Sequence, residues 1–130
     1  MAEALARSPL LPAAQPDLEN PTAVGRRDAD HLVSLIANHR LAAVFQPILD
    51  FRAHAYIGFE ALIRGPVDSP CHTPCALFGT ADRHGLRQEL ERACRATIFT
   101  AFAQARLPGK LFINASLGSL DDEEIGRAHV

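Results

Sequence analysis

Leu41-Ala42-Ala43-Val44-Phe45-Gln46-Pro47-Ile48-Leu49-Asp50-Phe51-Arg52-Ala53-His54-Ala55-Tyr56-Ile57-Gly58-Phe59-Glu60-Ala61-Leu62-Ile63-Arg64 is the stretch that decides how this chain folds. Val44 to Ile48 is a run of β-forming residues, Asp50 to His54 a polar break, and Tyr56 to Ile63 a second run. That pattern predicts two strands. Parallel neighbours need a crossover of about a dozen residues or more, and the break is only five residues long. The two strands are therefore expected to run antiparallel.

Upstream, residues 1–27 are rich in Ala and Pro, and Pro9, Pro12, Pro16 and Pro21 interrupt any long helix, so a flexible leader is expected. Asp28 and Asp30 can cap a helix whose apolar residues Leu32, Leu35 and Ile36 share a face, which puts the start of the folded unit at residue 28 and its end at 130.

Downstream, a loop runs from Gly65 to Thr73, and Thr73-Pro74 reads as an N-cap followed by proline at the first helical position. A short helix over Cys75 to Arg83 ends near Gly85. Leu86, Leu90, Ala93, Cys94, Ile98, Ala101, Phe102 and Ala105 recur at helical steps, and Leu107-Pro108-Gly109 stops that helix. Lys110 to Ser116 is a third strand, and Ser119 with Asp122 starts a further helix, in which Asp121-Asp122-Glu123-Glu124 forms an acidic first turn. Strands alternating with helices define an α/β fold, either a barrel or a doubly wound sheet.

Composition narrows the partners. Thirteen basic and fifteen acidic residues give a formal charge of −2, so there is no basic footprint for a phosphate backbone and nucleic acid is not an expected partner. The sequence has neither a membrane-length apolar run nor a signal-peptide pattern, which predicts a cytoplasmic protein with no membrane partner. Three cysteines, Cys71, Cys75 and Cys94, fit reduced thiols rather than a disulfide framework. Cys71-His72-Thr73-Pro74-Cys75 offers three zinc ligands where a closed site wants four, and reads as a loop. His31, His39, His54, His84 and His129 are scattered without metal spacing and read mostly as surface groups.

On the second strand, Gly58, Glu60, Leu62 and Arg64 share one face by two-residue alternation. A carboxylate there suits Mg²⁺ or Mn²⁺, and a guanidinium suits a phosphate. The plainer reading is an ion pair between Glu60 and Arg64. Asn114, on a face of the third strand with Phe112 and Ser116, adds a neutral oxygen donor; its plainer reading is a strand-end amide capping a turn.

Phe45-Gln46-Pro47-Ile48, then Gly58-Phe59-Glu60-Ala61-Leu62-Ile63-Arg64, then Ala76-Leu77-Phe78 through Ala81-Asp82-Arg83-His84-Gly85-Leu86, then Phe112-Ile113-Asn114-Ala115-Ser116 together resemble the opening signatures of the EAL domain family, in order and in spacing. Asp82 stands where the family usually has Glu. The bare tripeptide is no evidence, since Glu3-Ala4-Leu5 spells it inside the leader. The resemblance covers roughly residues 41–120.

It implies metal-dependent hydrolysis of cyclic di-GMP to linear pGpG. The positions matching Glu60 and Asn114 bind divalent metal (Mg²⁺ or Mn²⁺), that matching Arg64 contacts phosphate, and that matching Gln46 lines the nucleotide pocket. It also implies a TIM-type (β/α) barrel with an antiparallel first strand. Such a barrel takes about 250 residues and the chain has 130. The expectation is a partial barrel, truncated after about the third strand, lacking the family's later ligands and inactive alone. The alternative is a degenerate module for cyclic di-GMP binding or protein interaction. Open sheet edges in such a piece predict self-association.

Overall fold

The computed structural model describes residues 21–115. The elements run α1 (Pro21–Ala37), β1 (Ala42–Asp50), β2 (Ala55–Arg64), α2 (Pro74–His84), α3 (Arg87–Ala105) and β3 (Lys110–Ile113). The helix expected after Ser119 and residues 1–20 of the expected leader lie outside the described residues.

The strands form one mixed sheet in the order β1-β2-β3. β1 pairs antiparallel with β2, as the short connection requires, and β3 joins β2 in parallel after the α2–α3 crossover. Asp50 shapes the hairpin turn: its Oδ1 accepts the backbone N–H of Arg52 at 2.8 Å and of Ala53 at 3.1 Å. Pro47 sits on the edge strand, where a missing donor is tolerated.

α1 corrects the reading of the leader. It starts at Pro21, so Asp28 and Asp30 lie inside the helix rather than capping it, and residues 21–27 are its first turns. Proline breaks a helix only from within; in the first turn its fixed φ is already helical and its missing N–H had no partner to lose. The expected apolar face is kept, with Leu32 and Leu35 buried and Ile36 packed against them.

α2 follows its sequence signals closely. The Thr73 hydroxyl accepts the Ala76 N–H at 3.2 Å, Pro74 opens the helix, and Gly85 closes it at φ 67°, with the Leu86 N–H returned to the Ala81 carbonyl at 2.8 Å. This left-handed closure favours glycine because no Cβ meets the preceding carbonyl. α3 ends differently, on Arg106 at φ 50°.

The helices cover a single face of the sheet. Ala61 and Ile63 of β2 point into a core with Leu77, Ala81, Leu90, Cys94 and Ile98, and Phe45, Leu111 and Ile113 pack at its margin. The Phe45 ring meets Phe102 of α3 edge-on at 5.6 Å. On the opposite face Val44, Gln46 and Phe112 are exposed.

Candidate functional site

The open face is built by strand register. In the β1–β2 ladder Gln46 stands opposite Glu60, Val44 opposite Leu62, Ala42 opposite Arg64 and Ile48 opposite Gly58. On the other flank Glu60 is level with Phe112, and Asn114 follows two residues on. The Asn114 Nδ2 donates to Glu60 Oε1 at 3.0 Å. Gln46 on β1, Glu60 on β2 and Asn114, just past the end of β3 where the sequence pattern carries the strand on to Ser116, thus form a row. Glu60 is half-buried, while its two amide neighbours are exposed.

Gly58 makes this row possible. It faces Lys110 in the parallel ladder, and any Cβ built on it would collide with the Lys110 carbonyl and its neighbouring backbone atoms. A side chain here would push β3 away from β2, and Asn114 away from Glu60 with it.

Arg64 is on the same face but apart from the row. Its Nη1 donates to the carbonyl of Ile63 at 2.8 Å, and no ion pair joins it to Glu60 among the described residues. Four residues along an extended strand separate side chains by about 13 Å, too far for the ion pair that the plainer reading of the sequence supposes. Nor is Asn114 spent on a turn: its amide is turned across to β2.

A cavity of about 320 Å³ opens on the helical side, lined in part by Ile63, Phe78, Arg87, Cys94, Ile98 and Asn114. Gln46, Glu60 and Arg64 are not in its wall, so of the row only Asn114 borders this cavity. Arg87 in its wall is already partnered. Arg87 Nη1 takes both oxygens of Asp82 at 3.0 Å, Arg87 Nε donates to Glu91 at 2.7 Å, and the guanidinium lies 4.7 Å from the Phe78 ring centre. The Glu91 bond, ahead of the Asp82 contacts, raises the Arg87 pKa. Asp82, the departure from the family pattern, therefore serves as the partner of Arg87. The Arg87–Glu91 half of this network was legible as an i,i+4 pair; the Asp82 half spans the α2–α3 corner and had no local signal.

The loop over Cys71 to Cys75 is locked by structural bonds. Cys71 is buried with its Sγ 3.8 Å from the Thr80 hydroxyl, His72 Nδ1 meets the Gly65 carbonyl at 2.9 Å, and Cys75 is exposed. His31, read as a surface group, instead bonds Ser69 Oγ at 2.7 Å and is half-buried. No cluster of three or more His, Cys, Asp or Glu side chains suited to a metal occurs among the described residues.

No curated protein matches the chain. The EAL domain family model matches residues 29–128, which takes in all three strands and the Gln46, Glu60, Arg64 and Asn114 positions. With most of its length so matched, the chain belongs to the EAL domain family, the family of cyclic di-GMP phosphodiesterases.

Proposed function

We propose that the open sheet face is the first part of an EAL-type cyclic di-GMP site, and that the sheet with its helices is the opening section of a TIM-type barrel whose inner wall is this face. The observation that supports it is the 3.0 Å contact between Asn114 and Glu60, which puts two side chains from adjacent strands within reach of one ion. A half-turn of the Asn114 amide exchanges Nδ2 for Oδ1. The pair then presents oxygen alone, the donor type that Mg²⁺ and Mn²⁺ prefer.

The two donors fit such an ion in kind and supply about two of its six positions. When bound, a divalent cation supplies a water of lowered pKa and neutralises charge on the phosphoryl oxygens. Glu60 and Asn114 would hold it, and Glu60 would contribute the negative charge. Arg64 uses one N–H on Ile63 and keeps the rest of its planar fork for a phosphate. Gln46, opposite Glu60, offers an amide donor and acceptor to the nucleotide edge.

With so few ligands among the described residues, the chain is expected to bind cyclic di-GMP without opening it. The test is conversion of cyclic di-GMP to pGpG in Mg²⁺ or Mn²⁺, with calorimetric binding run in parallel on the chain and on Glu60→Ala. Metal-dependent binding that weakens in Glu60→Ala, with no pGpG formed, is the expected result. Turnover that Glu60→Ala abolishes overturns the inactivity. Binding indifferent to metal and to Glu60→Ala assigns the chain to the alternative, a degenerate binding or interaction module.

A further inference from the structure

The end of the sheet farthest from Asn114 is the tip of the β1–β2 hairpin, and beside its polar turn residues Asp50, Arg52 and His54 it exposes large apolar side chains. Phe51 is 83% exposed, Tyr56 63%, Leu49 47% and Ile57 40%. A register shift between Ile48 and Leu49 sets Leu49 opposite Tyr56 and leaves Ile57 without a cross-strand partner. The bulge also brings the Tyr56 ring over Phe59, nearly parallel at 6.3 Å. β3 begins only at Lys110, opposite Gly58, so Ala55 to Ile57 run on past it by about 10 Å at the usual strand rise. The tip runs on past the start of β3, with Gly109 against Ile57 at its base.

Three cations lie near this apex by sequence and register. Arg52 is in the turn itself, Lys110 sits beside Gly58, and Arg106 leads into the segment where Gly109 lies against the Ile57 carbonyl. The one acid in residues 49–57 and 106–111 is Asp50, whose carboxylate already accepts two turn N–H groups. Three fixed positive charges against one negative is a local excess in a chain whose formal charge is −2.

We propose that the hairpin tip is a peripheral docking point for an anionic bilayer surface, with Phe51 and Tyr56 entering the headgroup boundary and Arg52, Arg106 and Lys110 held at headgroup level. A protruding apolar apex with a cationic collar suits a deformable, negatively charged surface, because the rings leave water while the long basic side chains stay at the polar interface. No helix among the described residues is long and apolar enough to cross a membrane; the expectation of no membrane partner rested on that kind of segment, and surface docking does not need one.

The whole chain is sedimented with vesicles of phosphatidylcholine alone and of phosphatidylcholine with roughly a third phosphatidylserine, at low salt and near 1 M salt. It is expected to bind the anionic vesicles at low salt and to leave them at high salt. Each cation lost from the collar costs about fivefold in binding, so Arg52→Glu is expected to weaken it at least that much. The chain contains no tryptophan, so Phe51→Trp reports directly: its emission shifts to the blue on anionic vesicles. Val67→Ser, at an equally exposed apolar residue beyond the other end of β2, leaves binding unchanged. Equal binding to neutral vesicles, an equal loss in Val67→Ser, or an unshifted indole emission from the Phe51→Trp chain overturns the proposal. Tighter capture by immobilised polyglutamate than by the anionic vesicles overturns it too, in favour of an acidic polypeptide partner.

Discussion

Cys94 shows how burial can dominate the chemistry of one side chain. It lies on the buried face of α3 in the core, and burial, helped by the charge of Glu91 and opposed by Arg95 and Arg87, pushes its thiol up to about 12 from an ordinary value of 9.0. A thiol held neutral is a poor nucleophile. The linkage has a definite sign: as pH rises through about 9 the unfolded chain releases this proton while the folded chain keeps it, so the folded state loses stability progressively until about pH 12. Urea midpoints measured at pH 8 and pH 10.5 are expected to fall for the parent chain, and to fall less for Cys94→Ala once its lower starting stability is subtracted. An equal fall in both would exclude Cys94 as the source.

At the scale of elements, α2 is the clearest case of local sequence dictating local structure. Thr73→Ala removes the acceptor for the Ala76 N–H, which costs about 1 kcal/mol. In a domain of this size that is a drop of about 4–8 °C in Tm. Thr73→Ser keeps the acceptor and is expected to stay near the parent in the same thermal scan; no difference between the two variants would mean that the cap contributes nothing.

The same elements show what sequence can reveal and where it stops. Two-residue alternation placed Glu60 and Arg64 on one face and Phe112 and Asn114 on another, and the five-residue break made the hairpin antiparallel. All of that is local geometry. The cross-strand match of Gln46 with Glu60 was not legible, because it depends on the shift at Ile57, which no residue type announces. Pro21 was misread because the same residue ends a helix from inside and begins one from the first turn. Arg106 adopts the left-handed cap although Gly109 stands three residues on, since the close approach of Gly109 to Ile57 reserves that glycine for the strand entry.

At the scale of the molecule, the helices cover one side of a three-stranded sheet and leave the other, with Val44 and Phe112 exposed, facing solvent. Neither β1 nor β3 has a partner on its outer edge among the described residues. Pro47 takes one donor from the β1 edge, whereas Lys110 to Ile113 carry no proline, and unprotected edges template pairing with other chains. The 130-residue chain is therefore expected to elute from gel filtration above its monomer mass, increasingly so with concentration. A concentration-independent monomer that unfolds cooperatively on heating would rule this out.

The bond between Asn114 and Glu60 spans two strands of very different standing. β2 is paired on both sides, while β3 is four residues long and, among the described residues, hydrogen-bonded to β2 alone. Short, singly paired strands lie at the low end of local stability. A ligand that grips both side chains fastens this strand as it binds, and its affinity is reduced by whatever fraction of the time the strand is loose. At this edge, occupancy and order are the same equilibrium seen from two ends.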